Sequence, residues 1–302
     1  MNSVLVIGSL NYDETYHVDR LPNLGETVVA TQIELSCGGK GANQAYAAAC
    51  LGADTQMIGC VGDDAEGEII LNQLNEVGVN TKNIKKLFGK RTGKAVISVD
   101  SLGENNIIIY PGANLLLDYD ESLMEIFKSA DIVLIQNEIR MEIVEKMICL
   151  AAKLKKTVVY NPAPSCEISP FIFPMINYLI PNEHELDEIA PNKKTIREKS
   201  KYLISQGVEN VIVTLGEKGA MLFNEKEEIS VCAPKVKVIN TVGAGDCFNG
   251  VFAALLGTKS KEHALEIAVC AASLSTMKNG AMESMPKIEE VMEFIEKKEV
   301  RG

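Results

Sequence analysis

Short apolar runs rich in valine and isoleucine alternate with longer helical patterns along this chain. The runs lie at 4–7, 132–136, 158–160, 178–180 and 211–215. Amphipathic or small-residue segments predict helices at 41–50, 65–77, 141–154, 195–205, 244–256 and 261–277. Such alternation is typical of βαβ units, in which crossover helices cover both faces of a parallel sheet. The sequence therefore predicts an α/β fold with a mostly parallel sheet between two helical layers.

Two segments, 12–37 and 92–110, are rich in β-forming residues but contain no helical pattern. Turn signals interrupt them at 22–25 and 101–104. They predict a small separate sheet, either a lid over a neighbouring site or an elaborated edge of the main sheet. Because no repeat or low-complexity linker divides the chain, we expect residues 1–302 to form one domain that includes this sheet.

The composition is that of an ordinary globular protein, with 46% hydrophobic and 24% charged residues. The formal net charge of −11 disfavours nucleic acid as a partner, since that binding depends on many Lys or Arg contacts to phosphates. The apolar runs are too short for a membrane span or a secretory signal, so we expect a cytoplasmic protein without a membrane partner. The eight cysteines are scattered without a Cys-x-x-Cys pair, which predicts reduced core thiols.

The segment 240–250 places small residues just before a predicted helix. Gly243, Ala244 and Gly245 let a ligand approach the backbone, and the free N–H groups of a helix start suit phosphate oxygens. Asp246 follows them directly and is positioned to accept the proton of an attacking hydroxyl. Taken alone, the aspartate is explained equally well as a helix cap.

A second glycine cluster, 37–43, also opens a helix. It places the cation of Lys40 and the amide of Asn43 beside bare backbone at Gly39. This chemistry fits recognition of sugar hydroxyls, which need paired donors and acceptors. The alternative is a glycine-rich turn with a solvated lysine, and the spacing is not that of a Walker A loop.

Polar residues also follow the predicted strands. Asn11 and Asp13 come after the first strand and lie on one side of the chain, and Glu138 follows the strand 132–136. Turn formation and helix capping are the alternative roles of these residues.

Two later segments fit nucleotide binding. Asn182 and Glu185 begin a helix after the strand 178–180 and could contact Mg²⁺ through water, although capping explains Asn182 equally well. The turn 214–219 has glycines that permit positive φ and backbone contact with a nucleotide.

In series, these motifs give the chain its resemblance to a known family. They are Gly-Ser-x-Asn-x-Asp, Gly-Gly-Lys-Gly-Ala-Asn-Gln-Ala, Asn-Pro-Ala-Pro, Pro-Asn-Glu, Thr-Leu-Gly-x-x-Gly and Gly-Ala-Gly-Asp. Over essentially its whole length the chain resembles the ribokinase-like, or PfkB, family of sugar and nucleoside kinases. The resemblance implies a three-layer α/β/α core with a small β-sheet lid that often pairs two subunits into a homodimer.

The resemblance also implies roles for individual residues. Asp246 would be the catalytic base and Gly243, Ala244 and Gly245 the anion hole. The sugar would contact Asn11, Asp13, Gly39, Lys40, Asn43, Glu138 and Asp246. ATP would contact Asn182, Thr214, Leu215, Gly216, Gly219 and Gly245, and Mg²⁺ would be held near Glu185 through water.

One residue departs from the family pattern. The family usually has Asp at the start of the catalytic segment, where it helps to coordinate an activating monovalent cation, but this chain has Asn240. The resemblance therefore implies at most a weaker K⁺ site, formed near Asn240, Val242, Ser275, Lys278, Gly280 and Ser284.

The activity implied is transfer of the ATP γ-phosphoryl group to a primary hydroxyl, with O5 of D-ribose as the first expectation. The alternatives are another sugar, such as fructose or deoxyribose, or a nucleoside, and a non-catalytic sensor of sugar or nucleotide. Lid residues would decide the acceptor, namely Tyr12, Ala95, Ile97, Ile107 and Ile109. The low aromatic content of 5% favours a free sugar over a nucleoside.

Overall fold

A computed structural model describes residues 2–299. Its strands, in chain order, are β1 (Ser3–Ile7), β2 (Asn11–Val18), β3 (Ala30–Gly38), β4 (Asp54–Gly62), β5 (Asn80–Leu87), β6 (Gly93–Val99), β7 (Asn105–Tyr110), β8 (Ile132–Ile135), β9 (Thr157–Tyr160), β10 (Tyr178–Leu179), β11 (Asn210–Thr214), β12 (Ala220–Phe223) and β13 (Glu228–Val231). Its α-helices are α1 (Lys40–Cys50), α2 (Ala65–Glu76), α3 (Met124–Ser129), α4 (Met141–Lys153), α5 (Glu183–Ile189), α6 (Ile196–Ser205), α7 (Ala244–Leu255), α8 (Lys261–Ser275) and α9 (Ile288–Glu299).

The larger sheet has the strand order β13-β12-β11-β10-β9-β8-β1-β4-β5. From β11 to β5 the neighbouring strands are parallel, whereas β12 runs antiparallel to both of its neighbours. Alternate residues of β1 enter different cores, since Val4 and Val6 pack on one face and Leu5 and Ile7 on the other. The sheet is therefore buried between two helical layers, as the sequence predicts.

Helices α1, α7, α8 and α9 supply the core on the Val4 face, whereas α3, α4 and α6 supply the core on the Leu5 face. Helices α1 and α7 lie very close together, because a Cβ added to Gly250 would stand only 2.7 Å from the Cβ of Ala47. This contact brings the starts of two helices, each preceded by glycines, to the same edge of the sheet.

The smaller sheet has the order β3-β2-β6-β7, and its strands lie in the two predicted β-rich segments, apart from Asn11 and Gly38, which fall one residue outside. Strands β2 and β3 are antiparallel, β2 and β6 are parallel, and β6 and β7 are antiparallel. Asn11 and Asp13 lie on this sheet, and Gly39 directly follows its strand β3. The smaller sheet therefore adjoins the edge where α1 and α7 begin.

Most predicted helix ends fall within one or two residues of the observed ends. The pattern of apolar runs did not predict several of the strands, however. The sequence of β4 contains Gly59, which weakens the strand pattern, and β5 is a polar strand at the sheet edge, where lysines are common. The prediction that the cysteines lie in the core is wrong for Cys166 and Cys232, which are exposed. Within residues 2–299, no helix has both the length and the apolar character needed to cross a bilayer.

Candidate active site

Asp246 lies in the first turn of α7 and is only 7% exposed. Its Oδ2 accepts a hydrogen bond from Asn43 Nδ2 at 2.9 Å, and its Oδ1 accepts one from Gln44 Nε2 at 2.9 Å. Both donors come from α1, so the close packing of α1 against α7 places them beside Asp246. The carboxylate is thus held between two amides, with its remaining lone pairs available to a proton.

The start of α7 has the geometry of an anion site. Gly243 caps the helix with φ of 77°, a left-handed conformation that favours glycine. The N–H groups of Gly245 and Asp246 lie in the first turn, whose donors have no acceptor inside the helix. A Cβ at Gly245 would meet no atom of the described residues within 4 Å, so open space lies beside this backbone. A phosphoryl oxygen can approach these N–H groups directly.

Lys40 is surrounded by carboxylates. Asp246 contributes most to raising the pKa of its ammonium, and Glu138 and Glu185 raise it further against the opposing effect of burial. The backbone N–H of Lys40 also donates to Glu138 Oε2 at 2.9 Å, and Ser9 Oγ donates to the same oxygen at 2.5 Å. Glu138 therefore fixes the start of α1 and, with Asp246, keeps Lys40 charged.

Asn11 and Asp13 project from the same face of β2. Asn11 Oδ1 accepts a hydrogen bond from Asn114 Nδ2 at 2.8 Å, and Asp13 Oδ1 accepts one from the Ala95 N–H at 3.3 Å. Burial raises the pKa of Asp13 to about 7, and the nearby charge of Glu138 adds to the shift. Asp13 is the carboxyl of this site whose pKa is moved into the neutral range.

The glycines before α1 are required by close contacts. Gly39 has φ of 87°, and a Cβ there would lie 2.8 Å from the N atom of Asn11. A Cβ at Gly38 would collide with the carboxylate of Asp13. Any larger residue at either position would displace the polar groups of β2.

The predicted nucleotide residues meet at the ends of β10 and β11. Asn182 and Glu185 form a capping box, because each backbone N–H donates to the other side chain at 2.8 Å. Asn182 pairs with Thr214 in an isolated bridge. Burial raises the pKa of Glu185, although the Asn182 N–H and the charge of Lys40 partly oppose this.

The turn after β11 closes on itself, with the Leu215 N–H donating to the carbonyl of Gly219 at 2.8 Å. Gly216 and Gly219 have positive φ of 57° and 101°. Within the part of the chain that the structure describes, a Cβ at Gly216 would meet no atom within 4 Å, so this backbone faces open space. It lies beside Asn182 and offers a surface along which a nucleotide can lie.

Of the predicted monovalent-cation residues, Asn240 lies beside the end of α8, which carries Ser275. The Thr276 carbonyl accepts hydrogen bonds from the N–H groups of Ile239 and Asn240, at 2.7 and 3.1 Å, which joins the catalytic segment to the end of α8. Asn240 Oδ1 accepts from the Val242 N–H at 2.9 Å. The amino group of Lys278 donates to Glu290, away from this segment. Asn240 therefore places a neutral amide, not a carboxylate, in this segment.

Comparison with known proteins assigns the fold and the family. The sequence profile of the pfkB family carbohydrate kinases matches residues 1–288. The chain belongs to the pfkB family of carbohydrate kinases. A Lactococcus lactis protein named ribokinase is 38% identical over 306 residues, which cover 99% of each protein. A Salmonella typhi protein named deoxyribokinase is 34% identical over 301 residues, covering 97% of this chain and 98% of that protein.

Solved structures of pfkB relatives share the architecture. The structure of Arabidopsis thaliana ribokinase complexed with ribose and ATP superimposes with a TM-score of 0.91 at 34% identity, covering 97% of this chain and 98% of the other. This likeness confirms the predicted ribokinase-like fold, with a mostly parallel main sheet and a second, smaller sheet. The membership in a carbohydrate kinase family confirms the predicted class of enzyme.

Sequence reasoning singled out the charged members of this candidate site but missed most of its buried amides. Gln44 and Asn161 lie in motifs that carry the family resemblance, yet neither was given a role. Gln136 and Asn114 stand outside those motifs, and no sequence signal identifies them. Their partners are distant in the chain, so only the fold brings them together.

Proposed function

We propose that the protein transfers the γ-phosphoryl group of ATP to a primary hydroxyl of a sugar, with D-ribose at O5 as the acceptor and Asp246 as the base. The observation that carries this proposal is the position of Asp246. Its buried carboxylate lies at the open, glycine-lined start of α7 and is oriented by two amides. A base next to an anion site is the arrangement that phosphoryl transfer to a hydroxyl requires.

In this mechanism Asp246 accepts the proton of the attacking hydroxyl while the phosphoryl group is held in line. The N–H groups of Gly245 and Asp246, in the turn entered through Gly243 and Ala244, stabilise the charge that develops on the phosphoryl oxygens. Lys40, whose ammonium is kept charged by the surrounding carboxylates, supplies a cation beside the base. Catalysis is then mainly positioning and electrostatic stabilisation.

We assign sugar recognition to the polar groups around the start of α1. Asn11, Asp13 and Glu138 offer carboxylate and amide groups to the sugar hydroxyls, and Asn43 and the backbone at Gly39 complete the set. The buried side-chain oxygen Asn43 Oδ1 has no hydrogen-bond partner among residues 2–299, which leaves it available to a hydroxyl donor. Buried groups paired in this way reject acceptors that lack the matching hydroxyl.

2-Deoxyribose is the second candidate acceptor. The Salmonella typhi relative named deoxyribokinase is similar to this chain over nearly its full length. The two sugars differ only at the 2-hydroxyl, so the number of carboxylates and amides that face that position decides between them. Fructose and nucleosides remain the comparison acceptors.

ATP is assigned to Asn182, the turn Thr214–Gly219 and the backbone of Gly245. Among the described residues no group of three or more His, Cys, Asp or Glu could hold a metal. This fits Mg²⁺, which is commonly bound by one or two carboxylates together with phosphates and waters. Glu185 would hold it through water, and the bound ion would offset phosphate charge.

The neutral groups near Asn240 fit a weak monovalent-cation site. The carbonyls of Asn240 and Val242 and the hydroxyls of Ser275 and Ser284 are oxygen donors suited to K⁺. None of them carries a negative charge, and the side-chain oxygen of Asn240 is already bonded to Val242. We therefore propose that K⁺ stimulates this enzyme weakly.

We propose that the smaller sheet is a lid over the sugar and part of a single kinase domain. Its Asp13 face also presents Ala95, Ile97, Ile107 and Ile109, and the strand registers place these side chains together. The opposite face carries Ile33, Leu35, Ile108 and Tyr110, all exposed. Apolar patches of this kind mark interaction surfaces, and we assign this one to pairing with a second copy of the chain.

The experiment that tests the proposed function is ADP release from MgATP with a panel of acceptors. The panel contains D-ribose, 2-deoxyribose, fructose, adenosine and other nucleosides, each with K⁺ or Na⁺. We expect the highest kcat/KM with D-ribose. Preference for another acceptor would change the assigned sugar. No turnover with any acceptor would favour a non-catalytic sensor over a kinase.

A further inference from the structure

Three buried side-chain amides form a hydrogen-bonded network next to Asp246. Gln44 and Gln136 are fully buried, and Asn161 is 6% exposed. Gln44 Nε2 donates to Asp246 Oδ1 at 2.9 Å and to Asn161 Oδ1 at 3.1 Å, and Gln136 Nε2 donates to Gln44 Oε1 at 2.7 Å. Gln44 thus contacts the base on one side and two other amides on the other.

The direction of these hydrogen bonds is fixed by the backbone. Asn161 Nδ2 donates to the carbonyl of Ile180 at 2.8 Å. A carbonyl can only accept, so Asn161 must turn its nitrogen toward Ile180 and its oxygen toward Gln44. Gln44 must then point its nitrogen to Asn161, and the second hydrogen on that nitrogen faces Asp246. This orientation turns Gln44 Oε1 toward Gln136, whose Nε2 donates to it.

We propose that Gln44 is a positioning residue for the base. Held by Asn161 and Gln136, it presents an N–H to Asp246 Oδ1 that fixes the plane of the carboxylate and stabilises its ionised form. The remaining lone pairs of Asp246 are thereby aimed at the acceptor hydroxyl. This proposal rests on the proposed role of Asp246 as base.

Other charged groups act on Asp246 from the surrounding elements. Lys40 from α1 interacts favourably with it, whereas Asp13 from β2 and Glu185 from α5 are like charges. Glu138, which follows β8, acts on the same Lys40 and Asp13. None of these groups is altered by a substitution at Gln44. A change in kcat of Gln44→Met therefore reports the lost hydrogen bond to Asp246 rather than a lost charge.

The test compares Gln44→Met, Asp246→Asn and the double variant with the unchanged enzyme. Methionine keeps the volume of glutamine but cannot donate. For Gln44→Met we expect kcat to fall about 10- to 100-fold while KM for sugar and for ATP changes by less than about 3-fold. This fall in kcat at nearly unchanged KM is the readout that a merely structural role of Gln44 would not give.

The double variant tests whether Gln44 acts through Asp246. If it does, kcat of Gln44→Met/Asp246→Asn should stay within about 3-fold of that of Asp246→Asn alone. Multiplied losses would overturn the proposal, as would a wild-type kcat for Gln44→Met. A wild-type kcat for Asp246→Asn would instead remove the base role, and the positioning role with it.

Two further variants separate positioning from stability. Asn210 is a fully buried amide at the other end of β11, where it donates to the Asn177 carbonyl and accepts from Asn224. Asn210→Leu should lower the melting temperature without lowering kcat more than about 3-fold. If Gln44→Met does not fold, Gln44→Glu preserves shape but replaces the donor with an acceptor. It should lose at least about 10-fold in kcat, and full activity would overturn the proposal.

Discussion

At the residue scale, the raised pKa of Asp13 should give the site a measurable pH dependence. Burial raises the pKa of its carboxyl to about 7, so the ionised form, which we propose accepts sugar hydroxyls, is lost as pH falls through neutrality. We predict that KM for the sugar rises several-fold between pH 8 and pH 6, up to about 10-fold per pH unit below the pKa. Initial rates at varied sugar concentration give this KM. A KM that is flat over this range would contradict the role of Asp13.

The same carboxyl should also affect stability. Its folded pKa exceeds the ordinary value of 3.8, so between about pH 4 and pH 7 the folded state holds a proton that the unfolded state has released. Stability contributed by Asp13 therefore falls as pH rises through that window. We predict that Asp13→Asn raises the free energy of unfolding by about 1–2 kcal/mol at pH 8 and by little at pH 4. Urea unfolding at both pH values measures the difference.

The proposed weak dependence on K⁺ can be tested with one substitution, at Asn240. Its neutral amide leaves the proposed cation site without a formal charge. We predict that Asn240→Asp increases the stimulation of kcat by K⁺ over Na⁺ by at least about 3-fold, because the carboxylate adds a favourable charge. Lys278→Ala is the matched control, since that amino group is bonded to Glu290 instead. Unchanged stimulation in Asn240→Asp would rule out this explanation.

At the scale of elements, one carboxylate joins the smaller sheet to the core. Asp64 caps α2 through the Gly67 N–H at 3.0 Å, accepts from the Thr92 N–H at 2.8 Å, and also accepts from the Thr92 hydroxyl. Burial alone would raise the pKa of Asp64, but the bonds from Thr92 and Gly67 hold it below its ordinary value. The residue just before β6 is thus fixed to the helix beside it.

We predict that Asp64→Ala lowers the free energy of unfolding by about 1–3 kcal/mol, through the lost cap and the unpaired Thr92 groups. It should also raise KM for the sugar, because β6 carries part of the Asp13 face. Because the folded pKa is low, the stabilisation should be lost as pH falls below about 4. Thr92→Ser keeps the hydroxyl and should behave as wild type, whereas Thr92→Val should not.

The elements were predictable where local pattern and fold agree. The glycines before α1 and α7 could be recognised in the sequence. They are needed there because Gly39 and Gly243 have φ values of 87° and 77°, which favour glycine, and lie in close contact with other backbone. Asp246 was identifiable because it directly follows such glycines. The amides behind it were not, since Gln44, Gln136 and Asn161 acquire a role only when α1 packs against the ends of β8 and β9. Long-range contacts of this kind leave no periodicity in the sequence.

At the scale of the whole molecule, the exposed apolar face of the smaller sheet sets the expected assembly. Ile108 is 71% exposed, and Leu35 and Tyr110 lie on the same face. A lid whose outer face stays in water would expose an apolar patch, and a second copy would cover it. We predict a dimer with twice the 32.8 kDa mass of one chain in sedimentation equilibrium.

The two faces of that sheet provide the control. Ile108→Asp on the outer face should convert the dimer to monomer, because a buried unpaired charge is costly at an interface. Ile107→Asp, one residue earlier, projects from the Asp13 face and should leave the dimer intact while impairing sugar binding. A wild type that sediments as a monomer would reject the pairing outright. Dissociation by both substitutions would instead indicate that the whole strand β7 has been disrupted, so the opposite responses of adjacent isoleucines are the decisive result.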